Sequence, residues 1–243
     1  MVEDFTDQIE KIKTGTADLI PEDELVDKLK KAEREDRPLR VKLGVDPSSP
    51  DLTLGHAVVL RKLRQLQDLG HQAVMVVGDF TRRIGDPSGR SQTREIMGAR
   101  EIEENMKDYE RQVFRILDPE KTEFRYNSEW LGKLTFEDII ELTSKYTVAR
   151  MLERDDFSKR YANNKPISIL EFLYPLAQAY DSVAVDADIE LGGADQRFNL
   201  IVGRQIQREF DQEPQIVLTV PLLTGTDGSE AMSQTRGNYI GIN

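Results

Sequence analysis

The sequence predicts an α/β fold: a parallel sheet flanked by helices, with a helical insertion in the middle of the chain. Three observations carry that expectation. Leu39–Val45 alternates and meets Asp-Pro, leucines at helical spacing follow, and Ala73–Gly78 is a short apolar run, so strand, helix and strand follow in turn. Ile189–Leu191 and Gln215–Leu218 flank a further helix at Ala194–Phe210. Between these halves the chain turns charged and helical, which places an insertion at about 100–165.

Residues 1–38 read as an N-terminal helical segment, with a break at Leu19-Ile20-Pro21-Glu22. In the next unit Leu60, Leu63, Leu66 and Leu69 mark one face of a helix, and Gly70 closes it as a C-terminal cap. Ala73-Val74-Met75-Val76-Val77-Gly78 lacks polar alternation, the pattern of a strand buried on both faces of a parallel sheet. Ile102, Met106, Tyr109, Val113 and Ile116 form a helical stripe over roughly 100–117, and Thr122–Tyr126 reads as a strand or extended segment. Thr135 and Ser168 signal two more helices, Ser168 with Glu171 three residues on as a capping box. Internal repeats and low-complexity segments are absent from the sequence.

Composition excludes several classes. With 243 residues, 38% hydrophobic, the chain is long enough for one large domain. No run of about 18 apolar residues exists to span a membrane, and the acidic, amphipathic N-terminus lacks the apolar core of a signal peptide. The sequence has no cysteine, which excludes disulfide and thiolate chemistry and fits a cytoplasmic protein. Its two histidines, His56 and His71, are too few for a three-histidine metal site, and no metal site is expected. A formal net charge of −11 argues against broad attraction to nucleic acid.

Four stretches carry chemistry. Thr53-Leu54-Gly55-His56 lies where a strand–turn meets a helix, so backbone N–H groups and the helix dipole favour a phosphate there. Gly55 lets a ligand approach the backbone, and His56 offers a donor to a phosphoryl oxygen; alone, such a Gly-His pair is more often ordinary capping. The loop Gly78–Arg90 follows a buried parallel strand, where α/β sheets place ligands. Asp86 suits a ligand's ammonium, and Arg90 and Arg94 suit phosphates. Tyr174, Gln178 and Asp181 are spaced i, i+4 and i+7, which puts a phenol, an amide and a carboxylate on one helix face where a core-facing stripe would be apolar. Finally, Gly192-Gly193 precede Asp195 at a helix start, permitting close backbone approach to a ligand whose ribose hydroxyls Asp195 would accept.

These strings resemble the class I aminoacyl-tRNA synthetases, and among them the bacterial tyrosyl-tRNA synthetases, from about Leu39 to Asn243. DPSSPDLTLGH carries the HIGH-type signature, GDFTRRIGDPSGRSQTR is the most specific string, and ISILEFLYPLAQAYDS and ELGGADQRFN follow in the family's order. The resemblance implies a Rossmann-type catalytic domain at 39–243 with a helical connective insertion. It also implies ATP as substrate with Mg²⁺, no tightly bound cofactor, and a homodimer. Tyrosine would then be bound by Lys42, Thr81, Asp86, Asn127, Tyr174, Gln178, Asp181 and Gln196. Asp46, Gly55, His56, Gly193, Asp195 and Leu223 would bind ATP, and Thr53, His56, Arg90 and Arg94 would act in catalysis.

Two departures stand out. Thr53 takes the place of the signature's first histidine, and Ala231-Met232-Ser233-Gln234-Thr235 occupies the position of the KMSKS loop with both lysines replaced. The lost groups would act on the phosphates as charge develops, so tyrosine and ATP binding with slowed adenylate formation is expected. The chain stops just past this loop. The family's anticodon-binding and C-terminal RNA-binding domains are therefore expected to be absent, and specific tRNA binding with them. Two other readings fit the same residues: a synthetase-derived or redesigned protein that holds tyrosine or a nucleotide without turnover, and a dimer module with a vestigial pocket.

Overall fold

A computed structural model of the chain describes residues 5–46, 52–85, 108–234 and 236–242. Six strands form one sheet: β1 (Asp18–Ile20), β2 (Arg40–Val45), β3 (Gln72–Val77), β4 (Thr122–Tyr126), β5 (Ile189–Gly193) and β6 (Ile216–Val220). Their order is β1-β6-β5-β2-β3-β4, parallel throughout except for β1, which runs antiparallel to β6. The chain leaves β2 toward β3 on one side, while β5 pairs with β2 on the other. The carboxyl ends of β2 and β5 thus form a topological switch point, where such sheets open a crevice.

The helices are α1 (Thr6–Lys13), α2 (Glu22–Arg34), α3 (Leu54–Asp68), α4 (Ser128–Leu131), α5 (Phe136–Ser144), α6 (Val148–Met151), α7 (Asp155–Ala162), α8 (Ile169–Ala184) and α9 (Arg197–Glu209), with 108–113 also helical. Side chains from the preceding turn start three of them. Thr53, Thr135 and Ser168 each accept from a backbone N–H of the first turn, and His56, Asp138 and Glu171 reach back to complete capping boxes. Gly70, at φ +95°, ends α3 in the left-handed region as the sequence predicts.

The apolar pattern decides what each helix covers. Leu60, Leu63 and Leu66 of α3 are buried with Val41, Met75, Val77 and Leu218 in one core. Each such leucine contributes about 1.5–3 kcal/mol on burial. Leu176 and Ala179 of α8 pack with Val202 and Ile206 of α9 in a second core, which Phe157 and Leu142 of the insertion join. Strand β3 is buried from Ala73 to Val77, as its unbroken apolar run requires.

The structure adds to the sequence reading at two places. The break at Leu19–Pro21 is a strand: Leu19 pairs with Leu218, so the N-terminal segment supplies an edge of the sheet as well as two helices. Three residues are too few to display a period. β4 lies inside the region read as an insertion, where it pairs with β3 and forms the opposite edge, so the helical part beyond it begins at α4. Ile102 and Met106 of the predicted stripe lie outside the described residues; Tyr109, Val113 and the half-buried Ile116 pack on the first core.

Candidate active site

A cleft of about 400 Å³ opens at the carboxyl ends of the central strands. It gathers residues from four separated stretches: Asp46 after β2, Thr53, Gly55 and His56 at the start of α3, Tyr174, Gln178 and Asp181 of α8, and Gly193, Asp195 and Gln196 after β5. Thr81 after β3 and Leu223, Ala231 and Met232 after β6 complete the wall. Here most of the residues expected from the sequence come together. Asp86, Arg90, Arg94 and Thr235 lie outside the described residues, and Ser233 and Gln234 do not line the cleft.

At the start of α3, Thr53 is buried and caps the helix, with its hydroxyl 2.9 Å from His56 Nδ1. Thr53 N–H donates to that same nitrogen at 3.1 Å, so Nδ1 is an acceptor and the ring proton sits on Nε2. Desolvation lowers the His56 pKa even though its outer edge is exposed, which keeps the ring neutral near pH 7. The result is a neutral N–H donor at a helix start whose dipole favours a phosphate oxygen. Thr53 itself spends its hydroxyl on the cap.

The glycines of the cleft are set by close contacts. A Cβ at Gly78 would stand 2.5 Å from Asp46 Oδ1 and 2.6 Å from Thr81 Oγ1. At Gly193 it would stand 2.6 Å from Asp195 Oδ1 and 2.9 Å from Leu222. Gly55 lies 3.7 Å from Met232 by the same construction, so the helix start and the distant signature loop face each other across the site. That loop is fastened to itself. Met232 N–H donates to Leu223 O at 2.8 Å, Thr224 bridges Ala231, and Ser233 N–H donates to Asn238 Oδ1 at 2.8 Å.

On α8 the polar stripe is anchored from below. Asp181 is buried and accepts from Trp130 Nε1 at 2.8 Å and from Asn127 Nδ2 at 3.2 Å. Burial raises its pKa to about 7, against the opposing effects of Lys42 and of these two hydrogen bonds. Tyr174 donates to Asp46 at 3.4 Å. Asn199 holds Gln196 at 3.0 Å and in turn receives Arg154 of the insertion at 3.3 Å.

Lys42 and Asn127 are placed behind residues that line the cleft. Neither lines the cleft. Lys42 is 0% exposed and bound to Glu190, Gln178 and Ser182, while Asn127 is 0% exposed and bridges Thr81 and Asp181. Each is bound to residues that line the cleft, Lys42 to the Gln178 carbonyl and Asn127 to Thr81 and Asp181. Glu190, Ser182, Trp130, Gln215 and Arg154 were not singled out in the sequence. A signal for Glu190 does exist: it is an acid within a short buried strand, and Lys42 is a base within another.

Among the described residues no group of three or more histidine, aspartate or glutamate side chains is arranged to hold a metal ion. No described helix is long and apolar enough to cross a membrane.

A mostly parallel sheet with its cleft at the switch point, and a capped helix start facing the loop at Ala231–Met232, give the α/β architecture of the class I synthetase kind. The family model for class I tRNA synthetases (W and Y) matches residues 34–243, and the chain belongs to that family. Within it, the chain is similar to tyrosine–tRNA ligases. It is 59% identical to that of Carboxydothermus hydrogenoformans, covering 100% of this chain and 59% of the relative. It is 61% identical to that of Thermotoga maritima, over 98% of this chain and 58% of the relative. Among solved structures, a tyrosyl-tRNA synthetase from Archaeoglobus fulgidus complexed with L-tyrosine superposes with a TM-score of 0.76 at 25% identity, covering 98% of this chain and 70% of that one. The chain thus spans 58–59% of the length of these two curated relatives.

Proposed function

We propose that the cleft binds tyrosine and ATP and joins them slowly as tyrosyl-adenylate. The observation that carries this reading is the convergence of Thr53–His56 and Ala231–Met232 on one cleft whose floor is the Tyr174–Gln178–Asp181 stripe. In this reading Asp181 and Gln178 receive the amino acid's polar ends together with Tyr174, Gln196 and Asp86. Asp46, Gly55, His56, Gly193, Asp195 and Leu223 receive ATP. Mg²⁺ would arrive on the triphosphate, since it binds through substrate phosphates and one or two carboxylates. The tyrosine carboxylate attacks the α-phosphorus and pyrophosphate leaves. This step needs positioning and charge stabilisation more than proton transfer. His56 supplies a neutral donor, whereas Ala231 and Gln234 supply no cation. Transfer to tRNA belongs to the proposal only for a protein of the relatives' full length, and a cytoplasmic setting is part of the same proposal.

Calorimetric titration with tyrosine, paired with tyrosine-dependent pyrophosphate exchange, tests this. Tyrosine should bind and exchange should be slow. Absence of tyrosine binding would overturn the reading. Binding with no exchange at all would select the alternative of a non-catalytic tyrosine-binding protein, which Ala231 and Gln234 favour.

A homodimer through the insertion is the second element of the proposal. Phe136 is 80% exposed, Ile140 55% and Val148 60%, an apolar surface of the kind that marks an interface. Phe157, by contrast, is fully buried against Phe172 and belongs to the core. Light scattering at micromolar concentration should give twice the 27.8 kDa chain mass, and Phe136→Asp with Ile140→Asp should give the monomer. A monomeric unaltered protein would count against it.

A further inference from the structure

Lys42 and Glu190 occupy facing positions on the neighbouring parallel strands β2 and β5. Both are sealed from solvent, at 0% and 1% side-chain exposure. Lys42 Nζ has three protons and three partners: Glu190 Oε1 at 2.9 Å, the Gln178 carbonyl at 2.8 Å and Ser182 Oγ at 2.8 Å. Glu190 is as fully used. Its Oε1 also accepts from Gln178 Nε2 at 3.3 Å, and its Oε2 accepts from Ser182 Oγ at 3.2 Å and from Gln215 Nε2. Helix α9 is cut away to admit the network, since a Cβ at Gly203 would stand 2.6 Å from Gln215 Nε2 and 2.9 Å from Glu190 Oε2.

A buried ion pair is weak evidence for stability, because well-packed apolar residues do as well or better in such places. Its geometry shows what it does achieve. A carboxylate only accepts, so the Gln178 amide must turn its NH₂ toward Glu190, which fixes the orientation of its carbonyl oxygen. The backbone of the same turn is tied to Lys42, and Asp181 stands three residues along that helix. We propose that Lys42 and Glu190 are a positioning pair: without touching the ligand they fix the Gln178–Ser182 turn of α8, so that Gln178 presents an acceptor and Asp181 a carboxylate to the amino-acid end of the cleft. This rests on the tyrosine reading above and assigns Lys42 to the support of the pocket.

The charges that act on Asp181 are Lys42 from β2, which favours its ionised form, and Glu190 from β5, which disfavours it. Trp130 and Asn127 donate to it from α4 and the turn before, and the cleft also holds Asp46, Tyr174 and His56. The pair therefore makes opposite predictions for its two members. Tyrosine binding is titrated against pH, by calorimetry, for the unaltered protein, Glu190→Gln, Lys42→Met and Ser182→Ala, with folding followed by circular dichroism. Glu190→Gln leaves the lysine unbalanced and should move the midpoint of tyrosine binding to lower pH. Lys42→Met should move it to higher pH. Ser182→Ala, which changes no charge, should weaken tyrosine binding about tenfold with the midpoint in place, and ATP binding alone should stay within about twofold in all three. A purely structural role does not move the two midpoints apart. Unmoved midpoints in folded charge variants overturn the pair's role, while an unaltered protein that binds no tyrosine overturns the reading of the cleft itself. If a charge variant does not fold, the doubly neutral Lys42→Met, Glu190→Gln protein decides: tyrosine affinity equal to the unaltered protein's overturns the proposal, and a loss of about tenfold with ATP binding kept supports it.

Discussion

Lysine at both Ala231 and Gln234 should raise the rate of tyrosine-dependent pyrophosphate exchange by about 10²–10³-fold, with tyrosine affinity unchanged. The expectation follows from where the loop stands. Ala231 and Met232 are on the cleft wall, with Met232 beside Gly55 at the start of α3. A side chain growing from residue 231 therefore enters the end of the cleft where the helix dipole and His56 already favour phosphate. The loop is held by the Met232–Leu223 and Ser233–Asn238 hydrogen bonds, so an added ammonium would be carried on a fixed base. Such a cation meets charge that grows on the leaving pyrophosphate in the transition state. It acts on the rate and leaves substrate binding alone. The two lysines belong to one unit, and single replacements need not add up to the double. An exchange rate that stays the same in the double variant, with tyrosine still bound, would end the phosphate-site account. High activity in the unaltered protein would instead direct attention to Arg90 and Arg94, the remaining cations of the sequence reading.

Local signals made most of the fold legible. Ser168 with Glu171, Thr135 and Thr53 mark helix starts because capping is a contact between residues three apart. β3 could be read because a strand covered on both faces has no reason to alternate. What escaped was fixed by partners distant in the chain. Leu19 is a strand residue because Leu218 lies beside it. Trp130 matters because its indole N–H reaches Asp181 from another element, and nothing in its neighbours announces that. Lys42 illustrates the same limit from the other side. The resemblance places it near the amino-acid pocket, but only the register of β2 against β5 shows that it faces Glu190 and is spent there. The residues that touch the cleft lie in recognisable strings; those that hold them in place are scattered.

Tyrosine affinity should climb as pH rises through 7, by about tenfold per unit below the midpoint, and level off above it. The group responsible is Asp181, whose pKa burial lifts to about 7. A tyrosine phenol donates more strongly to the ionised carboxylate than to the neutral acid. Below the midpoint the carboxyl must first release its proton, and that release is charged against binding. The stability of the empty protein carries the opposite sign. The folded pKa lies above the unfolded value of about 3.9, so the folded chain holds the extra proton. That contribution is complete below pH 4 and is lost as pH rises to 7. Thermal unfolding with and without tyrosine should therefore diverge with pH: from about pH 5 to 7 the empty protein loses this contribution while the shift produced by saturating ligand grows. Asp181→Asn is the control. It should remove the pH dependence and weaken tyrosine binding at pH 8 by about 1–3 kcal/mol, the cost of a charged hydrogen bond left unmade. Affinity that is flat from pH 6 to 8 would show that the phenol does not meet Asp181, and would move the amino-acid end of the cleft away from the Trp130 and Asn127 side toward Asp46 and Tyr174, where another carboxylate of the wall stands.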